Sequence, residues 1–156
     1  MAARENKMAM EATMPSGFES LPLGGGFAET FGRVYVNPAH RSLAFRVAPV
    51  HLNPVGVCNG GAMATFADLQ IAAVIASGPG TAEGNQPTIS LQVDYLATAP
   101  LGAWVEAAVT LVKTTRSLIF AQARIAADGE IVARTHAIYR NYGHGVAANP
   151  AQPRST

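Results

Sequence analysis

The sequence predicts an α+β domain in which an antiparallel sheet wraps around one long helix. Three observations support this fold class. An apolar run over residues 62–77 follows a Gly-Gly pair, and a helix that is hydrophobic on all sides is normally buried. Residues 88–96 alternate between apolar and polar side chains, which is typical of a half-buried strand. Asp128-Gly129 separates two further strand-like segments and predicts a hairpin.

The remaining elements are predicted in chain order from the same kinds of pattern. Residues 28–36 and 42–50 are strand-like, and Asn37-Pro38 marks the turn between them. The Gly, Pro and Asn residues over 77–87 predict a loop between the helix and the strand at 88–96. Three more strands are expected at 104–113, 117–127 and 130–141.

Length and composition favour a single domain. A chain of 156 residues is long enough for one core and short for two. We expect a loose segment at 1–16, one domain over 17–142 and a flexible tail at 143–156. With 49% hydrophobic and 13% charged residues the chain is apolar-rich, so a second copy is expected to cover part of its surface.

Charge and cysteine content argue against several classes of function. The net charge is +1 and the basic residues are scattered, which is unlike a nucleic-acid-binding protein. The longest apolar run contains Asp68 and is short for a bilayer span, and the N-terminus lacks the apolar core of a signal peptide. The lone Cys58 excludes an internal disulfide and a cysteine-built metal site. We therefore expect a cytoplasmic protein that needs no metal or other cofactor.

Asp68 is the most informative residue because it is the one charged residue in the helical run at 62–77. Burying an unpaired carboxylate is costly, so Asp68 must be hydrogen-bonded or face a wet cavity used for chemistry. Gly60 and Gly61 stand at the helix start, where free N–H groups and a partial positive charge stabilise an oxyanion. A carboxylate and an oxyanion site on one segment suggest acyl chemistry.

Small residues are predicted to leave room for a substrate beside the carboxylate. On a helical wheel, Gly61, Ala64 and Ala72 lie on the same side as Asp68. We expect this face to line the acyl group. The four histidines have no Ser, Cys or metal-ligand partner at a telling spacing, so structural or surface roles are favoured for them.

Several residues occur in the order that is seen in a known family: Asn53, Gly56, Gly60-Gly61, Asp68, Ser90 and the segment Tyr95-Leu-Ala-Thr-Ala-Pro-Leu-Gly102. This pattern resembles the hotdog-fold acyl-CoA thioesterases of the phenylacetate-degradation (PaaI-like) type, over residues 27–142. The resemblance implies a hotdog fold, in which a curved antiparallel sheet wraps around a long central helix. It also implies an acyl-CoA substrate and homodimers with active sites at the subunit interface, which many members pair into tetramers.

The resemblance also implies roles for individual residues. Asp68 matches the family's acid, which acts as general base on water or as nucleophile toward the thioester carbonyl. Gly60 matches the amide donor that polarises this carbonyl. Asn53 matches the polar residue that positions the water or the substrate oxygen, from the subunit opposite Asp68. Ser90 matches the hydroxyl that supports the attacking water.

Basic residues of the later strands are expected to contact coenzyme A. Lys113, Arg116 and Arg124 could hold its phosphates at the rim of the site, as basic residues do in this family. A solvated strand face is the alternative interpretation of these three side chains.

The chain departs from the family at Asn59, where a histidine usually precedes the Gly pair. Asparagine donates and accepts hydrogen bonds but carries no proton at neutral pH. Asn59 is expected either to cap the helix or to fill the place of the histidine. The sequence thus predicts an acyl-CoA thioesterase for an apolar medium-chain or aryl acyl group. Two alternatives stay open: a non-catalytic acyl-CoA-binding or regulatory protein, and a hotdog dehydratase acting on acyl carrier protein.

Overall fold

A computed structural model describes residues 14–78 and 86–142 of the chain. The expectations for residues 1–13 and for the tail at 143–156 lie outside the described residues. The elements are β1 (Glu19–Leu21), α1 (Phe27–Thr30), β2 (Val34–Asn37), β3 (Ser42–Arg46), a 3-10 helix (Pro49–His51), α2 (Gly60–Asp68), α3 (Gln70–Ala76), β4 (Thr88–Tyr95), β5 (Trp104–Thr114), β6 (Leu118–Ala127) and β7 (Glu130–Arg140).

The seven strands of the described chain form one antiparallel sheet, in the order β1-β2-β3-β5-β6-β7-β4. After β3 the chain crosses one face of the sheet through α2 and α3, and it returns as β4 at the far edge, beside β7. Asp128 and Gly129 join β6 to β7 with φ angles of 47° and 90°, the two positive values that a type I′ hairpin turn requires. The predicted fold class is confirmed.

The hydrophobic core lies between the two helices and the sheet. Helix α3 contacts β2, β3, β5 and β6, whereas α2 contacts β4. Phe45 from β3 packs between Phe31 and Phe66, with ring centroids 4.9 and 4.6 Å apart. Such edge-to-face and tilted aromatic contacts add to the free energy of area burial. None of the described helices is long and apolar enough to cross a membrane.

Three predicted elements differ from the structure. The segment predicted as a strand at 28–36 begins as helix α1, and Gly32, at φ 99°, lies between the end of this helix and β2. The strand predicted at 42–50 ends at Arg46, because Pro49 starts a 3-10 helix. The single predicted helix is divided at Leu69, whose N–H bonds to the Phe66 carbonyl at 3.1 Å in a tighter turn. Strand β1 carries no clear pattern and was not predicted.

His51 is a buried structural residue, as its lack of catalytic partners predicted. It is 4% exposed, and its Nδ1 accepts a hydrogen bond from the Ala48 N–H at 2.9 Å. Its Nε2 lies 2.6 Å from the Phe31 carbonyl oxygen, so the neutral tautomer with hydrogen on Nε2 satisfies both contacts. The imidazole thereby joins the 3-10 helix to the end of α1.

A buried polar network supports the start of helix α3. The Thr135 hydroxyl donates to the Gln70 side-chain oxygen at 3.0 Å and accepts from the Ala123 N–H at 3.1 Å. Thr135 and Gln70 are 1% and 0% exposed, so water cannot replace either bond. Thr135 therefore connects α3 to the two strands beneath it.

Thr135→Val should lower the free energy of unfolding by about 1–3 kcal/mol, because the isosteric change leaves buried polar groups without a partner. Urea-induced unfolding followed by circular dichroism measures this difference. Thr110→Val on the exposed side of β5 is the matched control and should change stability by less than about 0.5 kcal/mol. Equal effects of the two substitutions would contradict the network.

Candidate active site

Asn53 opens a tight loop that leads to helix α2. Its side-chain oxygen accepts hydrogen bonds from the N–H groups of Val55 and Val57, at 3.0 and 3.2 Å. These are the bonds of an Asx turn, so Asn53 has a structural role in this loop. Its side-chain NH2 donates to no residue in the described parts of the chain, and this group is available to a ligand.

Asn59 is the N-cap of helix α2. Its side-chain oxygen accepts a hydrogen bond from the Gly61 N–H at 2.7 Å, and its backbone has the extended conformation of a cap, with φ −65° and ψ 139°. Of the two roles considered for Asn59, the structure shows the cap. The Gly60 N–H has no acceptor among residues 14–78 and 86–142, so it remains free at the positive end of the helix.

Tyr95, at the end of β4, holds the start of the same helix. Its hydroxyl donates to the Gly60 carbonyl at 2.7 Å, and its ring lies against Gly60, where an added Cβ would be 3.5 Å from the ring. Sequence reasoning included Tyr95 in the family-like segment at 95–102 but gave its side chain no role. No local signal connects Tyr95 to Gly60, since the contact joins residues 35 positions apart.

Asp68 is the last residue of helix α2 and is half-buried. Its Oδ1 accepts a hydrogen bond of 2.6 Å from the Thr88 hydroxyl, and its backbone carbonyl accepts one of 3.1 Å from the Tyr139 hydroxyl. Burial, together with the nearby Asp68 carboxylate, raises the pKa of Tyr139, so this phenol stays a proton donor. The Thr88 hydroxyl thus holds the side chain of Asp68, and the Tyr139 hydroxyl holds its backbone.

The hydroxyl beside Asp68 belongs to Thr88, although Ser90 was expected there. Strand β4 contains a bulge between these two residues: Thr88 pairs with Tyr139, and Ser90 pairs with Ile138. The extra residue shifts the alternation of side chains, so Thr88 points toward the helix. Ser90 is exposed and has no hydrogen bond to Asp68.

The small residues predicted to line the substrate occupy different environments. Gly61 lines an open cavity beside the start of α2, together with Asn59, Ala62 and Thr65. Ala72 packs against the hydrophobic core, and Ala64 is half-buried outside that cavity. This cavity is therefore bordered by the helix face that carries Ala62 and Thr65.

Two of the expected basic residues lie at the sheet end that carries Thr88. Thr88 of β4 pairs with Tyr139 of β7, which pairs in turn with Ile119 of β6. Ile119 pairs with Thr114, the last residue of β5, so the turn that joins β5 to β6 lies at the same end of the sheet as Thr88. Lys113 and Arg116 border this turn and are exposed, as is Arg140, which sequence reasoning did not select. Arg124 lies in the middle of β6, opposite Ala108 and Arg134, and away from this end.

Cys58 precedes the cap residue and is an unreactive thiol by environment. Burial raises its pKa to about 11, so the thiolate that acts as a nucleophile is scarce at neutral pH. No group of three His, Cys, Asp or Glu residues that could hold a metal ion occurs among the described residues.

Comparison with known proteins places these features in a family. The chain matches the model of the thioesterase superfamily over residues 55–133, just over half of its length. It is 28% identical over 131 residues to the Pseudomonas aeruginosa protein PA0474, whose name provisionally describes it as an esterase. This alignment covers 81% of the chain and 96% of the relative.

Solved structures share the fold. An Asn-to-Asp variant of the phenylacetic acid degradation protein PaaI from Thermus thermophilus has a TM-score of 0.56 and 24% identity, over 80% of this chain and 93% of that one. A hypothetical thioesterase from Streptococcus pneumoniae, solved with coenzyme A, has a TM-score of 0.59 and 19% identity, over 84% and 93%. The family match covers both Gly60 and Asp68. The chain therefore belongs to the thioesterase superfamily and is a thioester hydrolase with the hotdog fold.

Proposed function

We propose that the protein hydrolyses an acyl-CoA to a free acid and coenzyme A, with Asp68 as general base and the Gly60 N–H as oxyanion donor. The observation that carries this proposal is the half-buried Asp68 carboxylate, held at 2.6 Å by Thr88 on a helix whose other end presents a free amide. Coenzyme A in the Streptococcus pneumoniae structure and acetyl-CoA in a related Streptococcus mutans structure support the choice of carrier.

The reaction follows from these two groups. Thr88 occupies Oδ1 of Asp68, which leaves Oδ2 to take a proton from a water molecule as the water oxygen bonds to the thioester carbon. The carbonyl oxygen becomes an oxyanion and accepts a hydrogen bond from the Gly60 N–H. The intermediate then breaks its C–S bond, and the proton held by Asp68 passes to the departing thiolate. Neither a metal nor another cofactor is needed for these steps.

One copy of the chain cannot supply both groups to the same carbonyl. Gly60 and Asp68 are eight residues apart on one helix, and a rise of 1.5 Å per residue separates them by about 12 Å. A general base and an oxyanion donor that act on the same thioester must each lie within about 3 Å of the atom that they contact. The geometry therefore favours a site in which Gly60 of one copy faces Asp68 of another.

Strand β4 is the surface on which two copies would meet. Within the described chain it pairs with β7 on one side only. Ile89, Tyr95 and Leu96 on or beside this edge are 54–57% exposed, which is unusual for large apolar side chains on an unpaired edge. We propose a homodimer joined along β4 as the active unit; the site does not require the further assembly of two dimers into a tetramer.

Basic residues at the Thr88 end of the sheet are proposed to bind the phosphates of coenzyme A. Lys113, Arg116 and Arg140 are exposed there and carry no ion pair in the described chain. Exposed basic side chains bind phosphate oxygens through charge-assisted hydrogen bonds. With this carrier and the single unreactive cysteine, we propose the cytoplasm as the location.

Asn59 is compatible with hydrolysis although it cannot transfer a proton. In the structure its side chain caps the Gly61 N–H, a task that any short acceptor side chain performs without changing its charge. The cap keeps the first turn of α2 in place and leaves the Gly60 N–H free. The proposed steps assign every proton transfer to Asp68, so none depends on residue 59.

Asp68→Asn should lower kcat by about 10²–10⁴-fold, because the amide cannot accept the proton of water. Thr88→Val should lower kcat by a smaller factor, about tenfold, since it removes one hydrogen bond that orients the carboxylate. Thiol release from a panel of short, medium, long and aryl acyl-CoAs measures both effects. Ser90→Ala distinguishes the two hydroxyls, and a larger loss there than in Thr88→Val would overturn the assignment to Thr88.

Gly60→Pro removes the proposed oxyanion donor and should lower kcat by about 10²–10³-fold. Proline is favoured at the first position of a helix, and Asn59 already has the extended backbone that precedes proline, so the fold should persist. Gly60→Ala retains the N–H, and its Cβ would make ordinary contact with Tyr95 at 3.5 Å. Equal kcat values for the two variants would exclude an oxyanion role for this amide.

Mixing two inactive variants tests whether the site is shared between copies. Chains with Asp68→Asn and chains with Gly60→Pro are unfolded together and refolded at equal concentrations. A shared site regenerates one intact centre in each mixed dimer, so activity should return to roughly a quarter of the wild-type value. Activity that stays at the level of the separate variants would show that each chain uses its own Gly60 and Asp68.

A further inference from the structure

A cavity of about 550 Å³ lies between helix α1, the 3-10 helix and the first two turns of α2. Its apolar walls are formed by Phe27, Phe31, Val50, Leu52 and Ala62. Pockets that bind small molecules have volumes of about 300–1,000 Å³. The cavity is therefore larger than an acetyl group needs and is large enough for a medium-chain or aryl group.

The Thr30, Thr65 and His51 side chains that line this cavity are already hydrogen-bonded within the chain, whereas the side-chain NH2 of Asn59, beside Gly60, has no partner among the described residues. The Thr30 hydroxyl donates to the Phe27 carbonyl at 2.6 Å, and the Thr65 hydroxyl donates to the Gly61 carbonyl at 2.9 Å. Both ring nitrogens of His51 are engaged, as described above. A polar substituent entering the cavity would lose its hydrogen bonds to water without gaining strong ones from the Thr30, Thr65 and His51 side chains.

The cavity adjoins the proposed oxyanion site. Asn59 and Gly61, which flank Gly60, both line it. A thioester carbonyl bound at the Gly60 N–H thus has its substituents beside the cavity mouth. The phosphates of coenzyme A are proposed to bind exposed basic residues. The acyl group is therefore the part of the substrate that matches the apolar walls of this cavity.

Phe27 stands at the edge of the cavity with 75% of its surface exposed. Aromatic side chains are common in the walls of small-molecule sites, and Phe27 lines this cavity. Phe27 belongs to the four-residue helix α1, next to Gly26 at φ 68°. An acyl group that fills the cavity would contact its ring.

We propose that this cavity binds the acyl group and selects plain hydrocarbon chains or rings over acyl groups that carry a distal hydroxyl or carboxylate. The assignment rests on the proposed function, since it identifies the acyl subsite of the same thioesterase site. Its specificity determinants are Phe27 and Ala62. It is an alternative to the helix face of Ala64 and Ala72 that the sequence predicted, and the substitutions below distinguish the two.

Binding of non-hydrolysable S-alkyl-CoA thioethers, measured by isothermal titration calorimetry, tests the cavity separately from catalysis. S-octyl-CoA should bind at least about 100-fold more tightly than S-methyl-CoA, because each buried methylene adds to the affinity. S-(8-hydroxyoctyl)-CoA should lose at least about tenfold of this gain. Equal affinities of S-octyl-CoA and S-methyl-CoA would overturn the proposal.

Two substitutions place the effect in this cavity. Ala62→Leu fills it and should weaken S-octyl-CoA binding by at least about tenfold while S-methyl-CoA binding changes less than about twofold. Ala76→Leu, the same change at an exposed helix position, is the matched control and should leave both affinities unchanged. Phe27→Ala, at an exposed site where folding is not at risk, should weaken S-octyl-CoA binding about fivefold.

The outcomes separate this proposal from the proposed function. A protein that hydrolyses acyl-CoAs but whose S-octyl-CoA affinity is insensitive to both Ala62→Leu and Phe27→Ala has its acyl subsite elsewhere, which overturns the assignment. A loss of octyl affinity in Ala64→Leu, with none in Ala62→Leu, would do the same and would identify the opposite helix face. The expected binding pattern without thiol release would support the cavity and refute the hydrolysis.

Discussion

Strand β4 holds both ends of helix α2, and the position of each candidate catalytic group depends on these contacts. At the start of the helix, Tyr95 donates to the Gly60 carbonyl at 2.7 Å; at its end, Thr88 donates to the Asp68 carboxylate at 2.6 Å. Within the described chain the same strand is one of the two edges of the sheet, the other being β1. In the proposed dimer this strand would both orient the helix and meet a second copy, which would couple the geometry of the candidate site to dimer formation.

The interruption of the helix at Leu69 has a structural basis on both sides. Before it, the Tyr139 hydroxyl bonds to the Asp68 carbonyl; after it, Gln70 joins the buried network of Thr135. Both anchors come from β7, which is also the neighbour of β4. Two adjacent strands therefore hold Asp68, β4 through its side chain and β7 through its backbone, an arrangement that would preorganise the carboxylate for the proposed proton transfer.

The proposed mechanism does not use the histidine that usually precedes the Gly pair in PaaI-like proteins. Asn59 supplies a helix cap, a neutral role that neither donates nor removes a proton. The Gly60 N–H and the Asp68 carboxylate carry the proposed chemistry, and each is positioned by groups other than Asn59. The largely apolar cavity next to Gly60 is the proposed place for the acyl group.

The sequence by itself determined the fold class, the strands at 88–96 and beyond, the Asp128-Gly129 hairpin and the placement of Gly60 and Asp68 on one helical segment. These features rest on local periodicity, turn residues and motif spacing, which neighbouring residues define. The tertiary structure decided that Thr88 contacts Asp68, that Tyr95 holds Gly60, that the helix breaks at Leu69, and that Ala62 borders the cavity. Sequence alone could not show these, because a bulge in β4 and contacts between residues 20 to 71 positions apart set them.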